Sequence, residues 1–102
     1  MTEAAEEYDV EVGDAVLLRA VEQGGGGYSW SCDVPSDAAD RLVLESSTVE
    51  PQSAAIGAAA TRAFSLRALG PGTTTVLLQH KRPWESEAIE ERAVVIRAST
   101  RE

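Results

Sequence analysis

Hydrophobic and polar residues alternate along most of this chain with the two-residue period of a β-strand. The alternation is first seen where Tyr8, Val10 and Val12 are separated by acidic residues. This period places the apolar side chains on one face of a half-buried strand. It recurs in short segments, and we therefore predict strands at 8–12, 15–21, 28–34, 42–45, 61–68, 73–79 and 89–96.

Glycine, proline and serine mark the connections between these strands. Gly70-Pro71-Gly72 is a strong turn signal, and Pro83 interrupts the pattern after the sixth strand. We predict a polar connection of at most one helical turn at 35–40, and a loop at 46–57. Seven short strands at intervals of roughly 8 to 15 residues are typical of a β-sandwich or barrel.

The length of 102 residues corresponds to one domain. We place that domain at 8–98, between an acidic tail at 1–7 and a short tail at 99–102. The first seven residues lack the basic and apolar regions of a signal peptide. The sequence therefore predicts either a cytoplasmic protein or a processed or excised domain.

Acidic residues outnumber basic ones, with 17 Asp and Glu against 9 Lys and Arg, for a net charge of −8. Phosphate binding needs a basic face, so nucleic acid is not an expected partner. The same charge disfavours an anionic membrane surface, and no apolar run approaches the roughly 20 residues of a membrane span. A protein partner is compatible with this charge, and we expect a monomer.

Residues with the chemistry for catalysis or metal binding are few. One cysteine, Cys32, excludes an intramolecular disulfide, and together with the single His80 it does not make a conventional zinc site. Cys32 and His80 could form a nucleophile–base pair, but Cys32 shares an alternating face with Trp30, and a buried cysteine is usually inert. The acidic residues of 85–91 are typical of a solvated face. We therefore predict no enzyme activity, no metal and no cofactor.

Three connections combine glycine or proline with aromatic or basic residues. They contain the segments 24–30, 57–61 and 82–84. In an up-and-down chain, connections that lie two strands apart emerge at the same end of the sandwich. We therefore expect these three segments to form one contiguous surface that could grip a partner.

The sequences of these segments resemble a known family. Gly27-Tyr28-Ser29-Trp30 resembles the Gly-aromatic-x-Trp part of the first inhibitory loop of chagasin-type inhibitors of papain-like cysteine peptidases. Gly57-Ala58-Ala59-Ala60-Thr61 is similar to their Gly-rich second loop, and Arg82-Pro83-Trp84 to their Arg-Pro-Trp third loop. Order and spacing agree from about Tyr8 to Arg97. The resemblance implies an all-β, immunoglobulin-like β-sandwich of about seven strands without a disulfide.

The resemblance also implies a function. Three loops, at 23–29, 56–62 and 80–87, would occlude the active-site cleft of a papain-like cysteine peptidase reversibly. The first loop would lie over the catalytic thiol, and the other two would hold the walls of the cleft. The residues implied to contact the peptidase are Gly25, Gly26, Gly27, Tyr28, Gly57, Ala59, Ala60, Arg82, Pro83 and Trp84.

One departure from the family pattern keeps an alternative function open. Gln23-Gly24-Gly25-Gly26 stands where the family has an Asn-Pro-Thr-Thr-like sequence. The additional glycines cost about 1–3 kcal/mol of loop entropy, which would weaken binding roughly 10- to 100-fold. Glycine also permits a very close backbone approach to a partner. The alternative is a non-inhibitory immunoglobulin-like module that binds another protein.

The aromatic residues beside these loops are expected to differ in role. Trp30 lies on an alternating strand and is predicted to be the buried core tryptophan of the sandwich. Tyr28 suits packing and partner binding equally well. Trp84 is expected at the interface, and Arg82 either at the interface or paired with a neighbouring glutamate.

Overall fold

In the computed structural model, residues 6–22, 27–51 and 60–100 are described. A short 3₁₀ turn, Ser36–Ala38, occupies the predicted polar connection. No helix among the described residues is long and apolar enough to cross a membrane. The strands of the described part are β1 (Glu6–Glu11), β2 (Ala15–Glu22), β3 (Ser29–Asp33), β4 (Leu42–Pro51), β5 (Ala60–Ala68), β6 (Gly72–Lys81) and β7 (Glu90–Ser99).

These strands form two sheets that face each other. One sheet has the strand order β1-β7-β6-β3, and the other has the order β2-β5-β4. β1 is parallel to β7, whereas the other paired strands are antiparallel. Two packed sheets around one core make a β-sandwich. The predicted all-β, immunoglobulin-like fold is confirmed, and Cys32 is a free thiol.

The core is formed by the alternating positions that the sequence marked as apolar. In β2, Val16, Leu18 and Ala20 are buried, while the residues between them are exposed. Trp30 is only 4% exposed, which confirms it as a core residue. The buried cluster comprises Val16, Leu18, Ala20, Trp30, Leu42, Phe64, Leu66, Val76, Leu78, Val94 and Ile96.

The prediction of a loop from residue 46 onward is wrong, because β4 continues to Pro51. The register of β4 against β5 shifts between Leu44 and Ser46, as in a β-bulge. Residues 46–50 are all exposed beyond this shift, so their side chains show no apolar alternation. Main-chain pairing with β5 forms this part of the strand, and such pairing leaves no hydrophobic pattern in the sequence.

Both predicted tails overlap strands. Glu6 and Glu7 were assigned to the tail at 1–7, but they belong to β1, and their carboxylates form ion pairs with two arginines of β7. At the other end, β7 includes Ser99, which was assigned to the tail at 99–102. Polar pairing across a sheet, rather than apolar burial, extends the two strands.

Shortening a buried leucine should destabilise the sandwich far more than shortening an exposed one. Leu78 is fully buried, whereas Leu17 is 47% exposed. Leu78→Ala is expected to lower the free energy of unfolding by about 2–5 kcal/mol, because it leaves a cavity in the core. Leu17→Ala should change it by about 0.5 kcal/mol or less. Denaturant unfolding of both variants measures the difference, and equal effects would contradict the assignment of the core.

Candidate functional site

Three connections leave the sandwich at the same end, which we call the loop end. Loop 1 (23–28) joins β2 to β3, loop 2 (52–59) joins β4 to β5, and loop 3 (82–89) joins β6 to β7. The strand register aligns the bases of loops 1 and 2, since Ala60 pairs with both Glu22 and Pro51. In the other sheet, the last residue of β6 pairs with the first residue of β3.

The predicted loops 23–29, 56–62 and 80–87 each overlap the end of a strand in the structure. Ser29 belongs to β3, residues 60–62 belong to β5, and His80 and Lys81 belong to β6. Main-chain pairing extends each strand past the point where its apolar alternation ends. The contact residues Gly25, Gly26, Gly57 and Ala59 lie outside the described residues. The remaining ones are Gly27, Tyr28, Ala60, Arg82, Pro83 and Trp84.

Trp84 is the most exposed large hydrophobic residue in the described part of the chain. Its exposed fraction is 72%, and its ring lies beside Gly27 of loop 1. A Cβ atom at position 27 would lie 3.0 Å from Cη2 of Trp84, and Gly27 has a φ of +80°. Glycine is therefore favoured here both by the left-handed backbone and by the close approach of the indole ring.

Arg82 connects loops 1 and 3. Its guanidinium carbon lies 4.4 Å from the centroid of the Tyr28 ring and 5.8 Å from that of the Trp84 ring. Cation–π attraction at such distances favours a defined placement of the guanidinium group. Gly27, Tyr28, Arg82 and Trp84 thus form one group, which we call the arginine–aromatic cluster.

A β-turn presents this cluster from loop 3. The amide of Glu85 donates a hydrogen bond to the carbonyl oxygen of Arg82 at 3.1 Å, and Pro83 occupies the second position of the turn. The amide of Ile89 donates to the carbonyl oxygen of His80 at 2.8 Å, which closes the base of the loop. Because proline fixes φ at this position, the turn needs little further ordering.

Beneath the cluster, His80 is a packing residue. Its ring is 3% exposed and stacks on the Trp30 ring, with 4.9 Å between centroids and 6° between planes. The Tyr28 ring meets it edge-on, with 5.8 Å between centroids. Among the described residues, no hydrogen-bond partner reaches Nε2 of His80.

The possible nucleophile–base pair of Cys32 and His80 gains no support from the structure. Cys32 pairs with Leu78 across the sheet, whereas His80 pairs with Trp30. Burial, together with a smaller contribution from the nearby Asp33 carboxylate, raises the pKa of the Cys32 thiol to about 11. The thiol therefore stays protonated at neutral pH, which is the unreactive form.

A buried carboxylate supports loops 1 and 2 from below. Glu22, the last residue of β2, is 8% exposed. Its Oε1 accepts hydrogen bonds from Nε of Arg62 at 2.9 Å and from the amide of Trp30 at 2.8 Å. Its Oε2 accepts a third bond from Nη2 of Arg62 at 3.3 Å. Burial alone would raise the pKa of Glu22, but the bonds from Arg62 and Trp30 and the charge of Arg62 lower it overall.

A second arginine, Arg92 of β7, lies near the Trp30 ring and donates hydrogen bonds to two other strands. Nε of Arg92 donates to Oε1 of Glu6 at 2.7 Å, and Nη1 donates to the carbonyl oxygen of Arg19 at 2.9 Å. The guanidinium carbon lies 5.9 Å from the centroid of the Trp30 ring. Arg92 of β7 therefore joins one sheet to β2 of the other.

The interpretation of the sequence missed the ion pair between Glu22 and Arg62. A signal for Glu22 was present, because Glu22 continues the alternation of Val16, Leu18 and Ala20 and so falls on the buried face of β2. A carboxylate at such a position needs a cation nearby. The sequence alone does not say which arginine supplies it.

This arrangement suits binding rather than chemistry. An indole and a guanidinium group stand at one end of a rigid sandwich, and both groups are common at binding hot spots. Among the described residues, no group of three or more histidine, cysteine or acidic side chains could hold a metal ion.

Comparison with known proteins identifies the family. Residues 9–97 match the model of the family described as chagasin family peptidase inhibitor I42. This chain belongs to the chagasin family. The match includes every strand except the ends of β1 and β7, and the family is one of peptidase inhibitors rather than enzymes.

Two of the proteins similar to this chagasin-family chain, amoebiasin-2 and EhICP2, are from Entamoeba histolytica. Amoebiasin-2 is 30% identical over 77 residues, which cover 74% of this chain but only 62% of amoebiasin-2. The crystal structure of the cysteine protease inhibitor EhICP2 has a TM-score of 0.78 and 24% identity, and covers 93% of this chain and 87% of that one. The solution structure of amebosin has a TM-score of 0.74 and 14% identity, with coverages of 91% and 88%. The two structures show that the fold is shared.

The contact between Gly27 and Trp84 can be tested with a matched pair of glycine variants. Gly13 has a φ of +101° and open space around it, whereas Gly27 faces the indole. Both Gly13→Ala and Gly27→Ala should lower the free energy of unfolding by roughly 1–2 kcal/mol, because alanine is strained in a left-handed backbone. Only Gly27→Ala should shift the indole N–H resonance of Trp84 in NMR spectra. An unshifted resonance would contradict the contact.

The lowered pKa of Glu22 predicts a pH-dependent stability. Its carboxylate is faced by Arg62, His80 and the amide of Trp30. Because the pKa is lower in the folded state than its ordinary value of 4.5, the stabilisation is present above that value and is lost as the pH falls through the folded pKa. Denaturant unfolding at a series of acidic pH values should show that wild type and Glu22→Gln converge on acidification. A constant difference between them would contradict this.

Proposed function

We propose that this chain is a reversible protein inhibitor of papain-like cysteine peptidases, and that loops 1, 2 and 3 together occlude the active-site cleft. The observation that carries the proposal is the exposed Trp84, held against Gly27 beside Arg82 at the loop end. Membership of a peptidase-inhibitor family supports it, as does the description of the structural relative EhICP2 as a cysteine protease inhibitor.

Loop 3 supplies a large part of the binding energy in this proposal. Trp84 is 72% exposed in the free chain, so a cleft wall that covers the indole removes apolar surface from water. Arg82 is already oriented by the rings of Tyr28 and Trp84, so its guanidinium loses little side-chain freedom on binding. Pro83 fixes the turn that carries both residues.

Loops 1 and 2 provide backbone and shape rather than large side chains. In the proposal, Gly25, Gly26 and Gly27 bring the backbone of loop 1 over the catalytic thiol, since glycine allows a closer approach than any other residue. Gly57, Ala59 and Ala60 lie against one wall of the cleft. Inhibition then results from occlusion, and no bond forms or breaks in the inhibitor.

Titration against model peptidases tests this function directly. The purified chain is added to papain and to a cathepsin L-type peptidase, and hydrolysis of a fluorogenic substrate is followed. We expect saturable inhibition that is reversed on dilution, with the inhibitor left uncut. A lack of inhibition at high concentration, or steady cleavage within the glycine run, would instead favour the non-inhibitory binding module.

Removal of the indole should weaken binding to the peptidase and leave the stability of the fold unchanged. Trp84→Ala is expected to weaken inhibition by about 1–4 kcal/mol, which corresponds to roughly 5- to 1000-fold, while the free energy of unfolding stays within about 0.5 kcal/mol of wild type. Leu69→Ala is the control, because Leu69 is 49% exposed in the turn at the opposite end of the sandwich. If Trp84→Ala inhibited as well as Leu69→Ala, Trp84 would not be part of the interface.

A further inference from the structure

We infer that Glu22 is a positioning residue for binding: its carboxylate fixes the two ends of loop 1 relative to each other and to the base of loop 2. The inference rests on the proposed function, because it concerns how the same loop end is held ready for the peptidase. It assigns that task to a residue that lies below the proposed contact surface and is 8% exposed.

Both ends of loop 1 meet at this carboxylate. Glu22 itself precedes the loop, and Trp30, two residues beyond it, donates its amide hydrogen to Oε1 at 2.8 Å. The indole Nε1 of Trp30 also donates to the carbonyl oxygen of Val21 at 2.8 Å. β2 and β3 lie in different sheets and are not paired through their main chains. These side-chain hydrogen bonds therefore connect the two strands instead.

The base of loop 2 is held by the same group. Arg62 lies on β5 just after loop 2, and donates to both carboxylate oxygens of Glu22, at 2.9 and 3.3 Å. Its Nη1 also donates to Oγ of Ser47 on β4 at 3.1 Å. The strands on either side of loop 2 are thereby connected to both ends of loop 1 through one guanidinium group.

The arginine–aromatic cluster depends on the same group indirectly. Trp30 stacks on His80, and His80 packs against Tyr28, whose ring carries the Arg82 guanidinium. A displacement of Trp30 therefore moves the surface on which Tyr28 and Arg82 rest. The positions of Glu22 and Trp30 at the two ends of loop 1 therefore restrain the path of the loop between them.

The test uses an isosteric variant and a matched core control. Glu22→Gln retains the shape of the side chain but loses the charge that binds Arg62. Ile96→Val shortens a core residue that is 1% exposed and lies in β7, away from these contacts. Arg62→Lys serves as a second variant, because it keeps the positive charge but loses the two-pronged contact. For each variant we would measure the inhibition constant for papain and the hydrogen exchange of the Trp30 amide.

The inference predicts a loss of affinity for papain that a lower free energy of unfolding does not by itself produce. Glu22→Gln should weaken inhibition of papain about tenfold and should accelerate exchange of the Trp30 amide, and Arg62→Lys should act in the same direction to a smaller extent. Ile96→Val should inhibit as wild type does, with unchanged exchange at Trp30, although it lowers stability as well.

Two results would overturn the inference, and they differ from failure of the proposed function. If wild type inhibits papain and Glu22→Gln inhibits equally well, or if Ile96→Val loses as much affinity as Glu22→Gln, Glu22 does not position the loops. If wild type itself inhibits neither papain nor the cathepsin L-type peptidase, the proposed function fails and this inference fails with it. In that case, accelerated exchange at Trp30 in Glu22→Gln would still identify the carboxylate as a structural anchor of loop 1.

Discussion

The loop end of this sandwich depends on one buried carboxylate. Removing a charged group from water is costly unless partners replace its hydration. Glu22 receives three hydrogen bonds, two of them from the Arg62 guanidinium and one from the amide of Trp30. Because the donors come from different sheets, the carboxylate can be satisfied only while β2, β3 and β5 hold their relative positions. The free-energy cost of burying the Glu22 carboxylate thus restrains how the three strands are placed relative to one another.

The remaining features of the loop end are arranged around this constraint. Trp30 is fixed by the hydrogen bonds that its amide donates to Glu22 and its indole N–H donates to the carbonyl oxygen of Val21. Its ring gives His80 a flat surface to stack on. Tyr28 packs against His80 and carries the Arg82 guanidinium. The order runs from the buried Glu22 carboxylate through the buried rings of Trp30 and His80 to the half-buried Tyr28 ring. Each group is therefore oriented by the group on which it packs.

The sequence predicted the fold more completely than the support of the site. Apolar alternation located the strands and the core, including Trp30, because burial on one face leaves a direct record in residue type. It failed where main-chain pairing alone forms the strand, as in β4 after the register shift at Ser46. Pairing of backbone groups is indifferent to side-chain character, so exposed residues can extend a strand without any hydrophobic signal.

The candidate contact residues, among them Gly27, Arg82 and Trp84, were proposed because three local motifs resemble the loops of chagasin-type inhibitors. Their contacts across two loops could not be predicted, since the distance between Gly27 and Trp84 depends on how the two sheets pack. The pairing of Glu22 with Arg62 was missed for a related reason. The two residues are separated by 40 positions, and the chain offers several other arginines with similar local surroundings.

The exposed tryptophan is the feature that a purely structural role does not explain. A large indole in water adds no core packing, and exposed apolar surface increases the tendency of proteins to associate. The chain nevertheless has glycine with a left-handed backbone at position 27, where a Cβ atom would lie only 3.0 Å from the ring of Trp84. Glycine at this position costs conformational entropy on folding. A rigid, solvent-facing indole obtained at that cost is consistent with a group whose contacts are completed by a partner.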